Sequence, residues 1–301
     1  MGMICLKKTI FKGSATAIVT PMDKKGNVDF KSLKNILDFQ LKNDTDAIVV
    51  TATTGENATL DDNEHLSVIK YTIDYINKRV PVIASTGSNN TAHAIFMSKE
   101  AEQMGADALL QVTPYYNKTS QAGLISHFTT IGDSINIPMI LYNVSSRTGM
   151  SITPETYLEL SKHHNIYATK EASGDISLIA KVAALCGDNL TIYSGNDDQT
   201  LPILSLGGKG VISVLGNIMP KEVHNICMYY FSGMVEESMN LQLELLDIMN
   251  TMFCDINPIP VKTALGLMGL CEPNCRLPLV SLNKKNKNEL KKAMLKHQLI
   301  K

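Results

Sequence analysis

The sequence predicts an α/β fold, a parallel (β/α)8 TIM barrel with a C-terminal helical appendage. Three observations carry that expectation. Short β-branched runs alternate with longer amphipathic stretches. Eight such strand–helix units recur at a spacing of roughly 20–35 residues, the number a closed barrel needs. No Gly-rich dinucleotide turn follows an early strand, as a doubly wound open sheet would favour.

The first strand is read at Ala15-Thr16-Ala17-Ile18-Val19, and Phe30, Leu33, Ile36, Leu37 and Leu41 follow it at helical spacing. Ala47-Ile48-Val49-Val50 is the second strand. The helix after it opens on Asp61-Asp62, whose charge suits the positive end of a helix, and carries Leu66, Ile69 and Ile73 inward. Pro81 to Ala84 makes the third strand, followed by a helix with Ala92, Ile95, Phe96 and Met104. The remaining strands are read at Ala108 to Val112, Pro138 to Tyr142, Ile166 to Lys170, Leu190 to Tyr193 and Gly210 to Val214. Gly207-Gly208-Lys209-Gly210 precedes a strand instead of following one, so it is read as a turn at the structural end and not as a phosphate cradle. Beyond Gly233 the strands stop. Val235 to Met252, Pro258 to Met268 and Lys284 to the end read as helices, so 1–233 is expected to be the catalytic barrel and 234–301 a helical domain.

Composition narrows the function. Hydrophobic residues at 44% and charged residues at 19% fit a globular chain of 301 residues. A formal charge of −1 and a pI of about 6.7 offer no field for nucleic acid. No apolar run reaches the roughly 18–20 residues of a membrane span. The opening Met1 to Lys8 has its charges after a very short apolar run, the reverse of a signal peptide, and Leu6 stands where myristoylation of Gly2 would want Ser or Thr. A cytoplasmic protein is expected. Cys5, Cys186, Cys227, Cys254, Cys271 and Cys275 are scattered, and the C-x3-C of the last two lacks a second ligand pair, so reduced thiols and no metal are expected.

Barrel enzymes place their chemistry at the C-terminal ends of the strands. Found there are Thr53-Thr54-Gly55-Glu56, Thr113-Pro114-Tyr115-Tyr116, Tyr142-Asn143 ahead of Arg147, Lys170-Glu171 and Ser194-Gly195-Asn196. An amine, several phenols and hydroxyls, and a guanidinium are gathered. The clustered His and carboxylates of a metal hydrolase are missing, and so is a Gly-x-Ser-x-Gly elbow. A strand-end lysine can attack a carbonyl if desolvation leaves it partly neutral. From position alone, Lys170 could equally be paired with Glu171.

These motifs closely resemble the dihydrodipicolinate synthase family, within the pyruvate-dependent class I aldolase superfamily that includes N-acetylneuraminate lyase. The likeness runs from Phe11-Lys12-Gly13-Ser14 to Arg276-Leu277-Pro278-Leu279 and includes Pro114-Tyr115-Tyr116-Asn117, Tyr142 to Gly149 and Lys170 to Asp175. It implies that Lys170 forms an imine with pyruvate, without any cofactor. It also implies attack on aspartate semialdehyde, on the route to diaminopimelate and lysine. Tyr142 is then the general acid/base, relayed through Thr54 to a Tyr116 supplied by the neighbouring subunit, and a homotetramer of two tight dimers is expected. Thr53 and Thr54 suit the pyruvate carboxylate, Arg147 a second carboxylate, and Gly195 and Ile212 the pyruvate pocket. Glu56 would position the turn. Cleavage of a sialic or 2-keto-3-deoxy sugar acid is the alternative reaction. A non-catalytic relative would be expected to lose Lys170 or Tyr142.

The resemblance also marks an allosteric lysine site at Asn57, Ala58, Asp62, His65, Asn89, His93 and Tyr115. His93 replaces a glutamate and Asp62 a histidine. Loss of the acid that would meet lysine's amino group implies weak or absent feedback.

Overall fold

In a computed structural model, which describes residues 7–301, eight parallel strands close on themselves in sequence order. Gly2 and Cys5 lie outside the described residues. The strands are β1 (Gly13–Ala17), β2 (Ala47–Val50), β3 (Val82–Ser85), β4 (Ala108–Val112), β5 (Met139–Asn143), β6 (Ile166–Glu171), β7 (Thr191–Ser194) and β8 (Gly210–Ser213). β2 and β4 coincide with their expected runs, and the other six overlap theirs with ends displaced by a residue or two. Strands β1 and β8 pair in register Gly13↔Gly210, which completes the closure.

Alternation along the strands divides their side chains between two cores. Ala15, Ala17, Ala47, Val49, Ile83, Leu110, Ile140, Tyr142, Ala168, Tyr193 and Ile212 point inward and pack as one cluster. Ile48, Val50, Val82, Leu109, Met139, Leu141, Ile166 and Ile192 point outward against the helical ring. Small inward side chains on β1, β2 and β6 leave room for the larger Tyr142 and Tyr193. Phe11, just before β1, closes the N-terminal end. Its ring stacks on Tyr193 at 4.1 Å, and the Tyr193 hydroxyl donates to the Phe11 carbonyl at 2.7 Å. Lys209 N–H donates to Ile192 O at 2.9 Å, so the Gly207–Gly210 segment is a turn entering β8.

The helix after β2 (Asp62–Ile76) starts with a capping box. Asp61 accepts from the Glu64 N–H, and Glu64 accepts from the Asp61 N–H. Past the barrel come helices Val235–Glu244, Leu246–Thr251, Ile259–Leu267 and Lys284–Lys296. A single helix was expected from Val235 to Met252, but a turn at Leu245 divides it. Ser238, Gln242, Leu245, Met249 and Met252 are all buried across the break at helical spacing, so periodicity carries no sign of it. The last helix also stops short of the terminus. Gln298 turns left-handed at φ 57, and Leu299 N–H closes back on Met294 O at 2.9 Å.

These helices share an apolar cluster with the barrel's outer side: Leu290, Met294, Ala264 and Leu265 pack with Val19, Ile36, Val211 and Leu215. A buried ion pair adds to that seam. Lys262, fully buried on Ile259–Leu267, bonds the Glu56 carboxylate and the Thr20 carbonyl. The Glu56 carboxylate also accepts the Arg276 N–H at 2.9 Å, and the Arg276 guanidinium grips Glu64 with two nitrogens.

Candidate active site

Register brings the two central side chains together. Tyr142 and Lys170 are Cα partners on β5 and β6, and both fall on the inward face. The Lys170 Nζ lies 4.4 Å from the centre of the Tyr142 ring. Glu171, one residue on, points outward. Its carboxylate is held by the Tyr157 hydroxyl, Asn143 Nδ2 at 3.1 Å and the Ser173 hydroxyl at 2.8 Å. The Lys170–Glu171 pairing is thereby excluded by the period of the strand.

Lys170 is 4% exposed, and burial lowers its pKa from 10.5 to about 8. Asp197 acts against that shift and Arg147 with it. A pKa near 8 leaves about a fifth of the amine neutral at pH 7.4, against about one part in a thousand for an unperturbed lysine. Burial pushes the Tyr142 phenol upward, with the Arg147 charge and the Thr53 hydroxyl pulling back. Tyr142 therefore stays protonated at neutral pH and has a proton to give.

The C-terminal mouth of the barrel holds a cavity of about 210 Å³ around these groups, lined by Thr53, Thr54, Tyr142, Arg147, Lys170, Gly195 and Asn257 among others. Thr53–Gly55 forms a one-turn helix following β2. Two non-glycine residues in left-handed backbone, Thr51 at φ 53 and Glu56 at φ 55, bracket it. Such conformations persist where the surroundings over-determine them, and here Glu56 is fixed by Lys262 and Arg276. Arg147 lies on Ser145–Thr148 and donates from Nη2 to the Asn257 carbonyl at 3.3 Å. Gly195 allows close approach of its loop to β6. A Cβ there would stand 2.7 Å from the Ala172 Cβ.

Not every expected residue reaches this wall. Ile212 is buried in the barrel core, and Val214, two residues further along, lines the cavity in that sector. Thr54 Oγ1 accepts from Asn257 Nδ2 at 3.0 Å, whereas the hydroxyl acting on Tyr142 is that of Thr53. Tyr116 is 92% exposed at φ 67, and Tyr115 is 40% exposed, so both face away from their own barrel's cavity.

Two residues were missed by sequence reasoning. Asp197 is buried, and its carboxylate accepts from the Ser213 hydroxyl and from the N–H groups of Val214 at 3.0 Å and Leu215 at 2.9 Å. It supplies the negative charge felt by Lys170. Asn257 comes from the C-terminal helices, and no local pattern ties it to the barrel mouth. The Asn257-Pro258-Ile259-Pro260 run ahead of a buried lysine was the available signal.

A family model described as the Dihydrodipicolinate synthetase family matches residues 10–298. The chain belongs to that family. Among relatives, the 4-hydroxy-tetrahydrodipicolinate synthase of Caldicellulosiruptor saccharolyticus is 54% identical over 286 residues, spanning 95% of this chain and 97% of its own. Among solved structures, chloride-inhibited dihydrodipicolinate synthase from Acinetobacter baumannii, complexed with pyruvate, superposes with a TM-score of 0.95. It is 40% identical and covers 97% of this chain and 100% of its own. The enzyme from Cyanidioschyzon merolae with lysine bound gives a TM-score of 0.93 at 36% identity, covering 97% and 100%.

Among the residues expected at an allosteric site, two local groups of contacts are seen. His93 Nε2 and Asp62 Oδ1 are 2.9 Å apart. His65 is buried with Nε2 2.9 Å from the Ser85 carbonyl, and burial lowers its pKa. Asn89 donates to the Tyr115 carbonyl at 3.1 Å and accepts at its own carbonyl from Asn117. Asn57 and Ala58 lie on the one-turn helix Asn57–Thr59 nearby in sequence. The two substituted positions, Asp62 and His93, are thus each other's partners.

Proposed function

We propose that this chain condenses pyruvate with L-aspartate 4-semialdehyde through an imine on Lys170, giving 4-hydroxy-tetrahydrodipicolinate on the route to diaminopimelate and lysine. The observation that carries the mechanism is the buried Lys170 amine, its pKa lowered to about 8, set against Tyr142 inside a cavity that also holds Arg147. Family membership and the named relatives support the same activity.

Neutral Lys170 adds to the pyruvate ketone, and one water leaves as the imine forms. Tyr142 donates the proton that makes the hydroxyl a leaving group. The protonated imine draws electrons from the methyl carbon, which loses a proton to become an enamine. That carbon bonds to the aldehyde carbon, whose oxygen takes a proton. The substrate amine then attacks the imine carbon, closing the ring and releasing Lys170. Thr53 and Thr54, with the N–H groups of their turn, suit the pyruvate carboxylate, and the Arg147 guanidinium suits the carboxylate of the second substrate. Asp197 supplies a negative charge toward the protonated imine.

Exposed Tyr116, held in left-handed backbone at φ 67, supports a part in a neighbouring subunit's site, within a tight dimer and a tetramer of two such dimers. No helix among the described residues is long and apolar enough to cross a membrane, and a cytoplasmic location fits the small-molecule chemistry. Borohydride reduction with pyruvate, followed by peptide mass mapping, tests the reading. A pyruvate adduct on Lys170 is expected; an adduct elsewhere, or none, would refute it.

A further inference from the structure

The β5–β6 ladder ends one residue beyond Tyr142 and Lys170, at the pair Asn143↔Glu171. The period of the strands puts these next two side chains on the opposite face, toward the helices. There they are joined. Asn143 Nδ2 donates to the two Glu171 carboxylate oxygens at 3.1 and 3.3 Å. Helix Pro154–Leu160 brings the Tyr157 hydroxyl to the same carboxylate, and the loop after β6 brings the Ser173 hydroxyl at 2.8 Å. Asn143 is tied in turn to the chain that follows it, donating to Ser151 Oγ at 3.1 Å and accepting from the Ile152 N–H at 3.3 Å. Asn143, Tyr157 and Glu171 are all buried.

Stability alone is a poor reason for a carboxylate here. The three side chains that bond it are neutral, so no cation among them offsets its burial, which pushes its pKa upward against the pull of those donors. Apolar side chains of similar volume often pack such a seam as stably. What a satisfied polar network adds is one fixed geometry. The strand ends fixed in this way carry the amine and the phenol on their other face. Charge does not account for the network either, because the influences on Lys170 are its burial, Asp197 and Arg147. We infer that Glu171 is a positioning residue: by clamping Asn143 it sets the separation of the β5 and β6 ends, and with it the placement of Lys170 against Tyr142. This rests on the condensation proposed above.

Imine formation needs the amine nitrogen aligned on the ketone carbon, with a proton donor beside the departing oxygen. A displacement of about 1 Å in such an arrangement costs about a hundredfold in rate. Lys170 and Tyr142 stand on different strands, so any parting of the strand ends moves one against the other.

The test follows the Lys170 adduct by borohydride quench at timed intervals after mixing with saturating pyruvate, per folded protein and across pH. Glu171→Met nearly keeps the volume and removes the link. It leaves the two main donors with partners, since Asn143 keeps Ser151 Oγ and the Tyr157 hydroxyl lies 3.0 Å from Thr169 Oγ1. Adduct formation should slow about tenfold to a hundredfold, while the midpoint of its pH profile stays at about 8. Glu171→Gln should restore the rate to within about threefold. Its carbonyl oxygen can accept from Asn143 and Tyr157 while its NH2 group donates to Ser173 Oγ. Full-rate adduct formation in the methionine variant would overturn the inference and leave the clamp a merely stabilising contact. A glutamine variant as slow as the methionine one, or a displaced midpoint in either, would also overturn it, because charge and not geometry would then be at work. If Glu171→Met does not fold, Asn143→Ala removes the link from the other strand. The same slowing at an unmoved midpoint is expected, and a full rate would overturn the inference. Absence of the Lys170 adduct in the unaltered enzyme counts against the condensation itself, whereas equal rates in unaltered and altered enzymes count against Glu171 alone.

Discussion

Replacing Lys170 with methionine should make the folded protein more stable while abolishing imine formation. The ammonium form of Lys170 is penalised by burial, which lowers its pKa from 10.5 to about 8. A depressed lysine pKa is a cost to folding that is fully present below the folded value and disappears above the unfolded one. The shift corresponds to about 3 kcal/mol at pH 7, since each unit is worth 1.36 kcal/mol. The attraction of Asp197 is already contained in the net shift. Methionine fills nearly the volume of the lysine stem without the charge. In ligand-free enzyme at fixed protein concentration, equilibrium denaturation should show the Lys170→Met variant more stable by about 2–3 kcal/mol at pH 7. The gain should shrink to about 2 kcal/mol or less at pH 9 and vanish near pH 11. A variant no more stable at pH 7, or a gain that does not decline with pH, would show that the amine is not held against its charge. In the unaltered enzyme the same pKa predicts that pyruvate trapping speeds up as pH rises through about 8, as the neutral fraction grows.

Glu56→Gln leaves the buried Lys262 ammonium with a neutral partner and should destabilise the fold by about 3–5 kcal/mol, measured by urea melts; pairing it with Lys262→Met should recover much of the loss. Mixing the inactive Lys170→Met and Tyr116→Phe variants should restore activity if Tyr116 serves a neighbouring subunit, because one site of each mixed dimer then has both residues intact. Equal inactivity of the mixture and its components would place Tyr116 elsewhere. L-Lysine should inhibit weakly in a steady-state assay because Asp62 is engaged by His93, and His93→Glu should strengthen inhibition; potent inhibition of the unaltered enzyme would contradict this.

The strands were legible because a barrel strand buried on both faces must be apolar and short, whatever its partner. The same period of two that sends Ala168 and Lys170 inward sends Glu171 outward, so the choice between an imine lysine and an ion-paired lysine was implicit in the strand. Chemistry on the strand ends was legible for the same reason: Tyr142, Lys170 and Thr53 follow directly from where strands stop. Asp197 was hidden in an Asn-Asp-Asp run that reads as a solvated turn. Its burial depends on meeting the N–H groups of Val214 and Leu215 across the barrel mouth.

What no local pattern disclosed is that the helices after the barrel belong to the catalytic site. Asn257 fastens Thr54 and Arg147 together, Lys262 neutralises Glu56 beneath the threonine turn, and Phe253 completes the cavity wall. Gln242 adds a further tie, donating to the Asp197 carbonyl at 3.0 Å. The barrel alone would present its amine at an open mouth, where water would solvate the ammonium and return the pKa toward 10.5. Desolvation is the largest cause of the Lys170 shift, and part of the wall that excludes water is built from these helices. The appendage therefore acts on the reactivity of a lysine it does not touch, by enclosing the space around it and fixing the turn that faces it.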